Sequence, residues 1–94
     1  MSSIDKRLLP LRDQIDQIDK DLLKLLTARA NVAIEVGKIK HETGAPIFRP
    51  EREKQVIDAL SQSNLGPLKA NSIAAIWREI MSGCRAVEAV QKIA

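Results

Sequence analysis

Residues 5–42 read DKRLLPLRDQIDQIDKDLLKLLTARANVAIEVGKIKHE, a run with no glycine before Gly37 and a single proline, Pro10, near its start. Leu8, Leu11, Ile15, Ile18, Leu22, Leu25, Val32, Val36 and Ile39 fall in heptad register along it, the pattern that lines one face of a helix built to pack lengthwise on others. The stretch therefore predicts one helix of about 38 residues, roughly 57 Å long. A compact globule of this chain length has a radius of gyration of about 12 Å and a diameter of only about 30–35 Å. One chain cannot cover such a helix. The expectation is an intertwined two-fold homodimer in which the long helices pair and each covers the overhang of the other.

Upstream of this run, Ser3 is the candidate cap, Asp5 sits favourably in the first turn, and Pro10 either kinks the first turns or marks the start of the regular helix. Downstream, Gly44-Ala45-Pro46 breaks the helix and reverses the chain, and Ile47 and Phe48 are expected to pin the loop to the core. Pro50 suits the first position of a second helix, with Glu51 and Glu53 near its positive end. That helix carries a short stripe of Val56, Ile57 and Leu60 and ends around Asn64 to Pro67. A third starts near Asn71 or Ser72 and carries Ile73, Ile76, Trp77, Ile80, Met81, Cys84 and Val87 at helical spacing. The reading is all-α, long–short–long, a helical bundle in one domain over residues 1–94.

Composition agrees with that class. Hydrophobic residues are 45%, aromatics only 2% and tyrosine is missing, a balance that disfavours strands. The net charge of +3 suits an anionic partner but is too small to imply nucleic acid, and the scarcity of aromatics removes the stacking platforms that single-strand binders use. A lone Cys84 excludes an intrachain disulfide and a cysteine-based zinc site, and fits a reducing cytosol. No apolar run has the length of a membrane span and the start lacks a signal-peptide core, so a cytoplasmic protein without membrane contact is expected.

Polar residues at apolar positions are the informative exceptions. Arg29 interrupts the seam, where a charge is costly unless something anionic meets it. Lys40 lies eleven residues later, only about 20° off the same face and roughly 16 Å along the axis, which leaves room for a small anion between the two. Glu53 sits one turn before Val56 on the stripe of the second helix, flanked by Arg52 as its nearest candidate partner. Glu88 follows Cys84 by four residues and Met81 by seven, placing it on the inner face of the third helix. Arg12 precedes Arg29 by 17 residues, about 25 Å along and roughly 100° around the helix, so only the Arg12 of a second, antiparallel subunit can share a small ligand with it. Taken singly, each has a plainer reading: Arg29 in an interhelical ion pair, Glu53 favouring a helix N-terminus, Glu88 solvated at a helix end, Cys84 as a small core residue. Gly37 allows close packing or ligand approach. His41 reads as surface beside a loop and Trp77 as core, neither with a catalytic role.

Leu11-Arg12-Asp13-Gln14-Ile15 through Asp19, then Leu22-Leu23, Leu25-Leu26, Arg29, Glu35-Val36-Gly37-Lys38 and Lys40, followed by Pro50-Glu51-Arg52-Glu53, resemble the all-helical chorismate mutases. The likeness spans about Leu8 to Glu88 and is most similar to the mutase domain at the front of bifunctional chorismate mutase–prephenate dehydratase proteins. The resemblance implies an isomerase that rearranges chorismate to prephenate toward phenylalanine and tyrosine, in an intertwined homodimer, with no cofactor or metal. Carried over, Arg29 and the partner subunit's Arg12 each clamp a substrate carboxylate, and Lys40 reaches the ether oxygen and a carboxylate. Glu53 holds the ring hydroxyl, helped by backbone around Arg49, while Cys84 and Glu88 line the ring side with Glu88 opposite Lys40. Arg52 stands behind Glu53. Some members carry a glutamine where this chain has Glu88, an acid near the hydroxyl in place of Arg49, and a small hydroxyl residue in place of Cys84. A carboxyl donates a hydrogen bond only when protonated, so activity is expected to fall as pH rises. The alternatives are an isochorismate–pyruvate lyase-like enzyme with a similar cationic pocket, and a non-catalytic dimerisation or regulatory module.

Overall fold

The computed structural model describes residues 5–90, and three helices account for most of them: α1 (Leu8–Thr43), α2 (Pro50–Ser63) and α3 (Ala70–Val90). The long first helix begins at Leu8, later than the expected Asp5, for a local reason. The Asp5 carboxylate accepts the Arg7 backbone N–H at 2.9 Å and the Arg7 guanidinium besides, which folds the chain into a turn before the helix starts. That guanidinium also holds the Asp5 carboxyl below the usual carboxylate range. Pro10 falls inside the first turn, where a backbone N–H has no helical acceptor, so it does not interrupt α1. The candidate cap Ser3 lies outside the described residues.

At the far end Gly44 takes the left-handed conformation (φ 75°) and its N–H reaches the Lys40 carbonyl, closing the last turn. Lys40 and His41 lie in that turn, where the helix end is negative. Pro50 opens α2 with Glu51 and Glu53 in its first turn. The Arg49 carbonyl accepts the N–H groups of Arg52 and Glu53 at 3.1 and 3.0 Å, so the loop residue before the proline sets where both side chains emerge.

Helix α3 packs on both α1 and α2, whereas α1 and α2 do not pack on each other. The core is accordingly built around α3: Ile73, Ala74, Met81 and Cys84 are buried together with Ala33 of α1. On the α1 side the contact is made by small residues. Ala33 and Gly37 are its buried positions, and a Cβ built on Gly37 would stand 2.9 Å from both the Cα and the carbonyl oxygen of Glu88. Nothing but hydrogen fits there, so the backbones of α1 and α3 touch at the point where Glu88 is displayed.

The heptad seam does not face this core. Leu11, Ile15, Ile18, Leu22 and Leu25 are 51–68% exposed, and every α1 residue up to position 28 is exposed. The long axis of the described chain is 59 Å and its radius of gyration is 17.7 Å, against about 12 Å for a compact chain of this length. Two expected core residues also sit farther out: Phe48 is 56% exposed, with the Arg85 guanidinium over its ring, and Trp77 is half-buried. Ile47 is half-buried as the loop's inner residue. Among the described residues no helix is long and apolar enough to cross a membrane.

Candidate functional site

Where α1 ends, α2 begins and α3 passes beneath both, the side chains enclose a cavity of about 430 Å³, a size suited to a small molecule. Seven of the eight residues singled out from the sequence line it: Arg29, Lys40, Arg49, Arg52, Glu53, Cys84 and Glu88. Arg12, far along α1, does not. An eighth polar side chain, Arg85, was not anticipated. Its signal was present, since Arg85 lies four residues after Met81 and three before Glu88, on the edge of the stripe that delivers both.

Deepest in the cavity is a pair of opposite charges. The Lys40 ammonium donates to Glu88 Oε1 at 2.8 Å and to the Ile47 carbonyl at 3.0 Å, with the two charged side chains only 17% and 9% exposed. The close approach at Gly37 makes this pairing possible by bringing the α3 backbone within reach of an α1 lysine one turn on. His41 adds a contact at 3.3 Å between Nε2 and the Glu88 carbonyl, so it is less detached than a surface residue beside a loop. About three turns back along the same face of α1, Arg29 donates from Nη1 to Cys84 Sγ at 2.9 Å. A thiol is a weak acceptor, so this contact orients the guanidinium and leaves its other N–H groups available.

The upper wall comes from the start of α2. Arg52 is exposed and has no acidic partner among the described residues, whereas Arg49 pairs with Glu51 and holds that carboxyl below the usual carboxylate range. Glu53 is not partnered by Arg52, as its neighbour in sequence suggested. Successive helical residues point about 100° apart, and Glu53 turns inward to Arg85 of α3, whose Nη1 donates to its Oε2. The Arg85 guanidinium also lies 4.9 Å over the Phe48 ring. Five cations thus face two carboxylates around a cavity whose remaining lining is aliphatic, including Val32 and Val36 of the exposed seam. Such a cavity has the size and charge to suit a compact anionic molecule.

Residues 11–89 match the family described as chorismate mutase type II. The chain is 46% identical over 92% of its length to a bifunctional chorismate mutase/prephenate dehydratase of Neisseria gonorrhoeae, of which it covers 23%. It spans about a quarter of the length of the curated relatives of this kind. Among solved structures, chorismate mutase from Thermus thermophilus superposes with a TM-score of 0.89 at 29% identity, over 92% of this chain and 98% of that one. Chorismate mutase from Helicobacter pylori, solved in complex with prephenate, gives 0.85 at 30% identity over 93% and 94%. With three helices in the same arrangement and the family match running across all of them, the chain belongs to the chorismate mutase type II family.

Proposed function

We propose that the chain forms one mutase unit that rearranges chorismate to prephenate, and that the cavity between α1, α2 and α3 is its active site. The observation that carries this reading is the convergence of Arg29, Lys40, Glu53 and Glu88, from three helices, on one small cavity where cations outnumber acids. In the reaction the ether C–O bond breaks as a C–C bond forms within one cyclic array of electrons. No proton is gained or lost overall, and no nucleophile is required. What a protein can contribute is to hold the folded, reactive conformer of a flexible dianion and to stabilise negative charge growing on the ether oxygen.

Each side chain then has a task suited to its type. Arg29 takes a carboxylate through the N–H groups that Cys84 leaves free. Lys40 aims a donor at the ether oxygen and a carboxylate. Glu53, an acceptor, takes the ring hydroxyl, and Arg52 and Arg49 stand at the rim as anion-attracting charge. Glu88 faces the ether oxygen from the other side; the proton-donating role expected from the sequence is not what its contact shows, because its Oε1 accepts from the Lys40 ammonium and so holds that donor in place. A second subunit laid along the exposed seam covers Leu11 to Leu25 and meets the cavity at Val32 and Val36, which bridge the seam and the site. It is positioned to bring its Arg12 to the substrate's second carboxylate. The lone, reduced Cys84 suits a cytoplasmic enzyme.

Loss of chorismate absorbance with the purified protein, followed by identification of the product, tests the assignment. Prephenate is expected, and Glu88→Gln, which removes the negative charge beside Lys40 and can donate a hydrogen bond at any pH, is expected to retain turnover. Pyruvate from isochorismate would identify a lyase instead. No turnover by a folded dimer would leave a binding module.

Gly37→Ala tests how the fold positions the site. Helix propensity favours the alanine by about 1 kcal/mol, while the methyl group collides with Glu88 backbone at a cost of about 1–3 kcal/mol. The gain offsets only part of the loss and leaves a net cost of up to about 2 kcal/mol. Activity has no such compensation, because α3 must shift and carry Glu88 away from Lys40. The expected result is a melting temperature lowered by up to about 15 °C and kcat/KM lower by at least about tenfold in the protein that stays folded at the assay temperature. Unchanged kinetics would show that the close approach is structural only.

A further inference from the structure

Arg85 has no task in the mechanism above, yet its surroundings are specific. It is the residue through which α3 grips Glu53, and among the described residues α3 is the one helix that α2 packs on. The position of Glu53 relative to Arg29 and Lys40 is therefore transmitted through α3, with Arg85 as the polar link at the cavity wall. The two side chains are 31% and 22% exposed, dry enough for the contact to hold in a single geometry. Arg85 is itself restrained, because its guanidinium lies over the Phe48 ring. That also accounts for an aromatic residue left on the outside of the loop.

The contact is one-sided in a useful way. Arg85 occupies Oε2 of Glu53, and among the described residues no protein group donates to Oε1. We infer that Arg85 is a positioning residue for the mutase reaction: it fixes Glu53 by one oxygen so that the other meets the substrate hydroxyl, and it offsets the repulsion between that carboxylate and a dianionic substrate. This rests on the mutase reading of the same cavity. A glutamate with no cation beside it would push a doubly negative ligand away from the wall it is meant to meet. A guanidinium donating to one oxygen removes that penalty and keeps the other as acceptor.

The test is a double-mutant cycle in the dimeric protein, read as kcat and KM for chorismate beside thermal unfolding. Arg85→Met keeps the length and apolar stem but not the charge or the fork. It is expected to lower kcat/KM about 10- to 100-fold, the range for losing a hydrogen bond to a charged group, with most of the loss in KM. Combined with Glu53→Gln it should cost no more than about two- to threefold beyond the worse single variant, because Arg85 acts through Glu53. Should Arg85→Met fail to fold, the cycle is run with Arg85→Lys, which retains charge without the fork and is expected to lose about three- to tenfold. Losses that multiply, or a kcat/KM within about twofold of wild type accompanied only by a lower melting temperature, would overturn the assignment. Wild type without turnover overturns this inference together with the mutase reading, whereas turnover with multiplying losses overturns this inference alone.

Discussion

Lys40→Ala is expected to lower kcat/KM by about two to three orders of magnitude, the loss seen when a donor aimed at a developing oxyanion is removed. The side chain is held at both ends of its reach, by the Ile47 carbonyl and by Glu88, so its ammonium is already placed before substrate arrives. Among the other cations that line the cavity, Arg85 is tied to Glu53. Arg29 is turned toward Cys84, and Arg49 and Arg52 sit at the exposed rim. Removing Lys40 also strands Glu88, whose side chain is only 9% exposed. Breaking a fully buried pair costs about 3–5 kcal/mol, and this pair, open to the cavity, should cost less. Stability and catalysis can be separated with the double variant Lys40→Ala/Glu88→Gln, which leaves no unpaired carboxylate. It should recover most of the lost melting temperature and none of the lost rate. Recovery of the rate would mean that Lys40 serves only to neutralise Glu88.

Mixing two inactive variants is the second large effect. If the partner subunit's Arg12 completes each site, then in a heterodimer of Arg12→Ala and Lys40→Ala chains one site carries both lesions and the other carries neither. Refolding the two together at equal amounts should place half the dimers in the mixed form with one intact site each, returning about a quarter of wild-type activity. Each variant alone should retain a few per cent at most, by roughly the loss of a bidentate carboxylate contact. Activity that stays at the sum of the separate variants would show that a single chain builds its whole site. Separation of the subunits by a charge on the seam, Ile18→Asp, should abolish turnover for the same reason, since Ile18 is far from the cavity and 55% exposed in the single chain.

Much of this arrangement was legible in the sequence. Heptad spacing from Leu8 to Ile39 implied a helix longer than one chain can bury, and the exposed seam of α1 is that excess made visible. Gly44 and Pro50 marked the ends of α1 and the start of α2 to within a residue because each acts through its own backbone: left-handed freedom in one, a fixed φ and no N–H in the other. The start of α1 was less legible, since an aspartate two residues before an arginine can favour either a first helical turn or a turn that delays it. Seven of the eight singled-out side chains came to one cavity because spacing on a helix is a rigid ruler. Arg29 and Lys40 needed no tertiary information to be placed about 16 Å apart.

What one helix shows another could not be read in this way. Pairing of Glu53 with Arg85 instead of Arg52, the Arg29 contact to Cys84, and the fit of Gly37 against Glu88 all join residues from different helices, the first 32 positions apart and the second 55. By itself the sequence determined three helices, their order and their apolar stripes, and the cations and acids each would carry, because these follow from local backbone preferences and the helical period. Only the tertiary structure decided which of those charges meet, because the rotation of α3 between α1 and α2 is set by how closely Gly37 lets the backbones approach, and that distance exists only once the helices have packed.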